Sequence, residues 1–411
     1  MIYSTLTLPN GLRLIHRQSA SPVAYCGFAV DAGTRDEGEQ ESGMAHFVEH
    51  LLFKGTRKRK AWHILNRMEN VGADLNAYTN KEETVVYAAF LSRDLERAVE
   101  LLADIVFHAV FPAREITKEV EVIIDEIQSY RDSPAELIFD DFEEMIFRNH
   151  PLGRNILGTP ESLRQFDTAA GLAFTARHYR PDNMVFFVWG DMDFKRVVRL
   201  VEKYTADVPA LPTTDPPTAS LRIPPPPYRP EQLIVHHDTH QAHVIIGGRS
   251  YATGDEQRTA LYLLSNLLGG PGMNSRLNVA LRERRGLVYN VESSLTSYTD
   301  TGMFCVYFGA DIDDVDTCLR LIRKEFRLLC DTKLSAWQLA AAKKQLIGQI
   351  GVASDNNENN ALGMGKVFLH DNQYDLPEEI YRRIDRLTPE ALWDVANEML
   401  TDSYLSTLIY R

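Results

Sequence analysis

Apolar and polar positions follow one another in the same order twice along this chain of 411 residues. The apolar run AYCGFAVDAG (24–33) reads as a strand. AHFVEHLLFKGT (45–56) follows it with the three-to-four-residue spacing of a helix. In the second half the same pair recurs as HVIIGGRSY (243–251) and TALYLLSNLLGG (259–270). LNAYTNKEETVVYAAF and VESSLTSYTDTGMFCVYFGA come next in the two halves. Both alternate around Thr, Val and Tyr, which predicts hairpins in a half-solvated antiparallel sheet. Long amphipathic helices are expected over 92–109 and 312–331, then a second helix in each half, AREITKEVEVIIDEIQSY and SAWQLAAAKKQLIGQIG. Each half is expected to close on a helix and a short strand, within HYRPDNMVFFVWGD and MLTDSYLSTLIYR. The pattern predicts a tandem α+β repeat: two homologous α/β sandwiches, each a mostly antiparallel sheet with helices packed on one face.

Proline marks the division. Nine of the 19 prolines fall between Pro209 and Pro230, where neither helix nor central strand is possible and PPPP favours an extended polyproline form. The reading is a first domain over 1–208, a linker over 209–231 and a second domain over 232–411.

Composition narrows the function classes. With 57 acidic residues against 44 Lys and Arg, the formal charge is −13, which argues against nucleic acid as the main partner. No apolar stretch is long enough to span a bilayer: the best, 98–111, is broken by Glu100, Asp104 and His108. The beginning MIYSTLTLPNGLRLIH lacks the basic and apolar regions of a signal peptide. Four scattered cysteines (Cys26, Cys305, Cys318, Cys330) fit free thiols in a reducing cytoplasm.

The chemistry concentrates in His46-Phe47-Val48-Glu49-His50. On a helix, His46 and His50 are four apart and share a face, with Glu49 beside them. Two such imidazoles can bind one Zn²⁺, and the carboxylate can act on water, the inverted form of H-E-x-x-H. The alternative is a helix with two ordinary histidines. A catalytic zinc needs a third protein ligand. The acidic helix over 113–129 offers Glu115, Glu119, Glu121, Asp125 and Glu126; Glu119 and Glu126, seven apart, lie on one face. A solvated acidic face accounts for Glu115 and Glu121.

GMAHFVEHLLFKGT, with Glu126 placed 76 residues beyond the second histidine, resembles the pitrilysin family of inverzincin zinc metallopeptidases, closest to the mitochondrial processing peptidase branch and its bacterial relatives. Further matching stretches are LNAYTNKEETVVY, NHPLGRNILGTPESL, HYRPDNMVFFVWGD, LLGGPGMNSRL and LRERRGLVYNV, so the resemblance covers nearly the whole chain. It implies that His46, His50 and Glu126 ligate one zinc per chain, that Glu49 is the general base, and that Glu119 orients a ligand from outside the ligand set. The second half carries Leu261, Leu264, Ser265 and Gln349 at the corresponding positions, so one site per chain is expected.

The resemblance implies further roles. Arg282 and Tyr289 match an Arg/Tyr pair that meets the zinc site across a chamber, where Tyr can donate to an oxyanion and Arg can hold a carbonyl. Asn76, Ala77 and Tyr78 match a substrate-binding edge strand that adds an extended peptide as a further strand. Leu268–Met273 is either a helix-ending turn or a substrate-handling loop, with Pro271 interrupting the glycines. The four histidines His236, His237, His240 and His243 are read as strand-end polar residues. The expected function is a zinc endopeptidase acting on unfolded peptides. It would work as a homodimer in which each chain completes its partner's site. The alternatives are a non-catalytic structural subunit of the same fold, or a catalytic subunit that needs a different partner chain.

Overall fold

The computed structural model describes residues 3–209, 218–237 and 239–411. Two compact units account for it. The first takes Met1–Gln128, Arg154–Ile223 and Ser354–Tyr374; the second takes Ser129–Gly153, Pro224–Ala353 and Asp375–Arg411.

The first unit holds six strands: β1 (Ser4–Thr7), β2 (Arg13–Arg17), β3 (Val23–Val30), β4 (Asp74–Thr79), β5 (Thr84–Leu91) and β6 (Met184–Trp189). Their order in the sheet is β1-β2-β6-β3-β5-β4, antiparallel except for β2 beside β6. Helices Met44–Leu52, Leu95–His108, Ala113–Arg131 and Thr168–His178 contribute Phe47, Leu51, Leu102, Ile123 and Phe174 to a core against one sheet face. The opposite face is covered by the helix Asn357–Asp371, through Ala361, Met364, Phe368 and Leu369 on Val85, Val185, Phe187 and Trp189. Gly365 allows this approach: a Cβ there would stand 2.6 Å from the Phe187 ring.

The second unit repeats the plan with five strands: β7 (Gln232–Val235), β8 (Ala242–Ser250), β9 (Val288–Ser297), β10 (Gly302–Ala310) and β11 (Ser406–Tyr410). Their order is β7-β11-β8-β10-β9, with only β7 and β11 parallel. Helices Arg258–Gly269, Val315–Asp331, Ala336–Ala353 and Pro389–Met399 pack on one face. The helix Pro134–Ile146 covers the other, through Ile138, Phe142 and Ile146 on Ile245, Met303, Tyr307 and Leu408.

The α+β repeat is therefore as the sequence predicts, with three additions. Each sheet has a second cover, and each covering helix comes from the half of the sequence opposite to the one that builds the sheet. The hairpins are less solvated than alternation implied. β5 is buried at six of eight positions and β10 at all nine, because both are inner strands covered on both faces. The first half does not close on β6; a further helix, Phe194–Tyr204, follows.

Of the expected linker, residues 210–217 lie outside the described residues. After them Thr218–Leu221 make one helical turn, and 222–231 carry neither helix nor strand. Arg222 inserts into the first unit, pairing with Asp31 and Asp36, each at 2.8 Å, and donating to the Glu82 carbonyl at 2.9 Å. Tyr228 shares a hydrogen bond with Ser406 of the second unit at 2.7 Å.

Candidate metal centre

The helix Met44–Leu52 turns its apolar residues, Met44, Phe47, Val48 and Leu51, into the core. That leaves His46, Glu49 and His50 together on the other face. Its start is fixed from three directions. Gly43 has φ 90°, open to glycine at little cost, and packs on Gly158, itself at φ 72°. Glu37 accepts the N–H groups of Gly43 (3.1 Å) and Ala45 (2.9 Å), capping the first turn. Arg154 donates to the Glu37 carbonyl at 2.8 Å.

The acidic helix Ala113–Arg131 buries Ile116, Val120, Ile123 and Ile127. That packing turns Glu119 and Glu126 toward the two histidines. His46, His50 and Glu126 each bring a ligand atom into one group, all within 4.8 Å of one another, and this is the only such group among the described residues. The Nε2 atoms of His46 and His50 are both 3.8 Å from the same Glu126 oxygen. The two rings lie 4.6 Å apart, tilted by 64°. Asp125 and Glu121 point to solvent, and Glu115 pairs with Lys118 at 3.0 Å.

This arrangement fits a tetrahedral zinc. Ligands 2.0–2.1 Å from such an ion stand roughly 3.4 Å apart, and the separations here are of that order. Burial, with the neighbouring His50 adding to it, pushes the His46 imidazole down to about 3, so the ring is neutral with a lone pair to give. His50 Nδ1 is 3.2 Å from Glu119 Oε2, a contact that places the proton on Nδ1 and leaves Nε2 facing the centre. Glu119 is itself paired with Lys54 at 2.8 Å. His50 and Lys54 overcome its burial and hold the carboxyl below the usual range.

Glu49 stands beside this group with one buried carboxylate oxygen, Oε2, that has no hydrogen-bond partner. Burial raises its carboxyl above the usual range, and Glu126 adds to this; a hydrogen bond from Thr79 and the nearby His50 oppose it. Thr79 ends β4 and faces Thr84 across the ladder, their hydroxyls 3.4 Å apart. β4 is the last strand of its sheet, so its outer edge is unpaired among the described residues. On it, Asn76 is exposed and hydrogen-bonds Tyr87, while Ala77 and Tyr78 are half-buried.

Arg282 and Tyr289 belong to the second unit and form a pair there, the guanidinium 5.6 Å from the ring centre. Tyr289 is 84% exposed. Arg282 also lines a hollow of about 280 Å³ with Gly269–Met273, Asn278 and Glu292. Gly269 and Gly270 serve close packing, since a Cβ would fall 2.7 Å from the Ser293 nitrogen and 2.3 Å from Asn266 Oδ1. Three of the four second-half counterparts of the His46, Glu49, His50 and Glu126 set are otherwise employed. Leu261 and Leu264 are core residues, and Ser265 hydrogen-bonds Ser293 at 2.7 Å. Among the strand-end histidines, His243 bonds the Tyr307 hydroxyl at 2.9 Å and His237 packs on Tyr410.

Both halves match known family descriptions, "Insulinase (Peptidase family M16)" over residues 13–160 and "Peptidase M16 inactive domain" over 170–346. A protein named as an uncharacterized zinc protease from Bacillus subtilis is 30% identical over 98% of this chain and 97% of its own length. The chain belongs to peptidase family M16, the insulinase/pitrilysin family. A second uncharacterized zinc protease, from Mycobacterium leprae, is 33% identical over 97% of the chain and 89% of its own length. Two crystal structures share the fold. One, of a peptidase M16 inactive domain from Pseudomonas fluorescens, has a TM-score of 0.90 at 20% identity, covering 100% of this chain and 98% of that one. The other, of a protease from Helicobacter pylori, has a TM-score of 0.89 at 23% identity, covering 100% and 99%. Among the described residues no helix is long and apolar enough to cross a membrane.

Lys54, Thr79 and Glu37 escaped the sequence reading. Lys54 and Thr79 lie inside quoted motifs, but nothing in their spacing marks them. Glu37 lies seven residues before the first residue of the helix it caps, beyond the reach of a local capping pattern.

Proposed function

We propose that this M16 chain is a zinc-dependent endopeptidase that cleaves unfolded peptides bound as an added strand along β4. The observation that carries the reading is the convergence of His46, His50 and Glu126 with a buried, half-unpartnered Glu49 beside them. When bound, zinc supplies Lewis acidity toward a carbonyl oxygen and acidifies water. His46, His50 and Glu126 hold the ion, and Glu119 orients His50. Glu49 takes a proton from the attacking water and delivers it to the leaving amine; its raised affinity for a proton suits both steps. The N–H and C=O groups of Asn76, Ala77 and Tyr78 receive the extended substrate.

Within the same reading, Arg282 and Tyr289 hold the substrate carbonyl and its developing charge. They act in the site of a second copy, so the working form is a homodimer. Residues 1–208 are the metal-binding half and 232–411 the half without metal, joined by 209–231. The inactive-domain description matches residues 170–346, which take in much of that second half, and this accords with one zinc per chain. Four free thiols fit residence in a reducing cytoplasm.

The test is zinc content measured together with cleavage of a diverse peptide mixture. Glu49→Gln is expected to keep its zinc and lose about 10²–10⁴-fold in kcat. Full activity in that variant would refute the role of Glu49. A wild-type chain that binds no zinc and cleaves nothing would favour the structural-subunit alternative, and one that binds zinc but cleaves nothing by itself would favour a catalytic subunit that needs a different partner chain.

A further inference from the structure

Glu119 and Glu126 lie two turns apart on one helix face, and both approach His50. Either carboxylate has the reach to serve the metal. The structure distinguishes them by what else each one touches. Both oxygens of Glu119 are engaged: Oε2 lies 3.2 Å from His50 Nδ1, and Oε1 lies 2.8 Å from the Lys54 ammonium. The Glu119 side chain is 7% exposed, so water offers little substitute for either donor. Glu126, at 35%, has its Oε2 placed between the two imidazole Nε2 atoms.

We propose that Lys54 is a positioning residue that decides which carboxylate of the acidic helix serves as the ligand: it pins Glu119 against His50 Nδ1 and leaves Glu126 to face the centre. The inference rests on the zinc-site reading above. Lys54 lies two residues beyond the end of the helix that carries both histidines, so one short segment supplies two ligands and the clamp on their orienting carboxylate. Its charge matters as well. Glu49, Glu119 and Glu126 bring three negative charges to a dication, and the ammonium balances the third. Without it, Glu119 keeps a buried acceptor with no donor and a charge with no partner, both costly. Its nearest compensation is then the metal itself, which it reaches only by letting go of His50. The imidazole loses the bond that fixes its tautomer and orientation.

Zinc affinity, read by competition with a chromophoric chelator, tests this without reference to activity. The proteins compared are the wild-type chain, Lys54→Met, Lys54→Arg, Glu119→Gln and the double variant Lys54→Met/Glu119→Gln. Lys54→Met is expected to weaken zinc about 10–100-fold, and Lys54→Arg to restore affinity to within a few-fold of wild type. In the Glu119→Gln background the Lys54→Met change should add no more than about twofold, because its effect passes through Glu119. Urea unfolding of the metal-free proteins shows whether each variant is folded. If Lys54→Met is not, Lys54→Gln takes its place in the same comparison. Affinity within twofold of wild type in Lys54→Met, or independent losses that multiply in the double variant, overturns the proposal. If the wild-type chain itself binds no zinc, the zinc-site reading falls first and this proposal falls with it.

Discussion

Glu37→Gln should abolish the pH dependence of stability contributed by the start of the helix that carries His46 and His50. Glu37 is buried and accepts two backbone N–H groups in that helix's first turn. Burial pushes its carboxyl up to about 8, against the pull of those donors and of Arg154. Between about pH 4.5 and pH 8 the native chain therefore keeps a proton that the unfolded chain has lost. Stability from this group is greatest at acid pH and falls as pH rises through that window, by at most about 1.4 kcal/mol per unit and about 5 kcal/mol in all. Glutamine has no proton to lose, so the slope disappears. Its amide oxygen can accept one N–H while its NH₂ faces the other, which costs about 1–3 kcal/mol. The two curves should cross: the variant is less stable than wild type near pH 5 and as stable or more so near pH 9. Urea unfolding of the metal-free proteins across this range measures the difference directly. A difference between the curves that stays flat from about pH 5 to pH 8 would refute the assigned titration.

Two other expectations follow from the same scaffold. Gly43→Ala places a Cβ at a φ of 90°, 2.8 Å from both the Gly158 Cα and the Leu157 carbonyl oxygen. A loss of at least about 1–3 kcal/mol is expected in urea, with weaker zinc binding because the histidine helix must shift; a variant as stable as wild type would count against the close crossing. Arg222→Met leaves the Asp31 and Asp36 carboxylates without their buried partner and should cost about 3–5 kcal/mol near neutral pH. Burial raises the affinity of Asp31 for a proton, so the loss should shrink as that carboxyl protonates in acid; a loss independent of pH would indicate lost packing instead of lost charge.

Local patterns made much of this molecule legible. The i, i+4 histidines of the motif and the apolar residues between them could be read directly, because one helix face is a local property. The choice of Glu126 over Asp125 was not local; it came from the family resemblance, and the packed helix shows its geometry. Asp125 lies on the solvent side once Ile123 and Ile127 are buried. The second cover of each sheet left a sequence trace. MVFFVW in β6 and GMFCVYFGA in β10 are nearly continuous apolar runs, which signal strands buried on both faces.

The sequence by itself determined the repeated α+β plan, the H-x-x-E-H motif and the absence of that motif in the second half, since each depends on periodicity or on residue identity. Only the tertiary structure decided which helix covers which sheet, because covering helices from the opposite half satisfy a need that neither half displays along its own length. It also decided the surroundings of the motif. Lys54 on Glu119, Thr79 on Glu49 and Glu37 on the helix start are contacts between segments brought together by packing. Their energies depend on burial, and burial is a property of the folded chain.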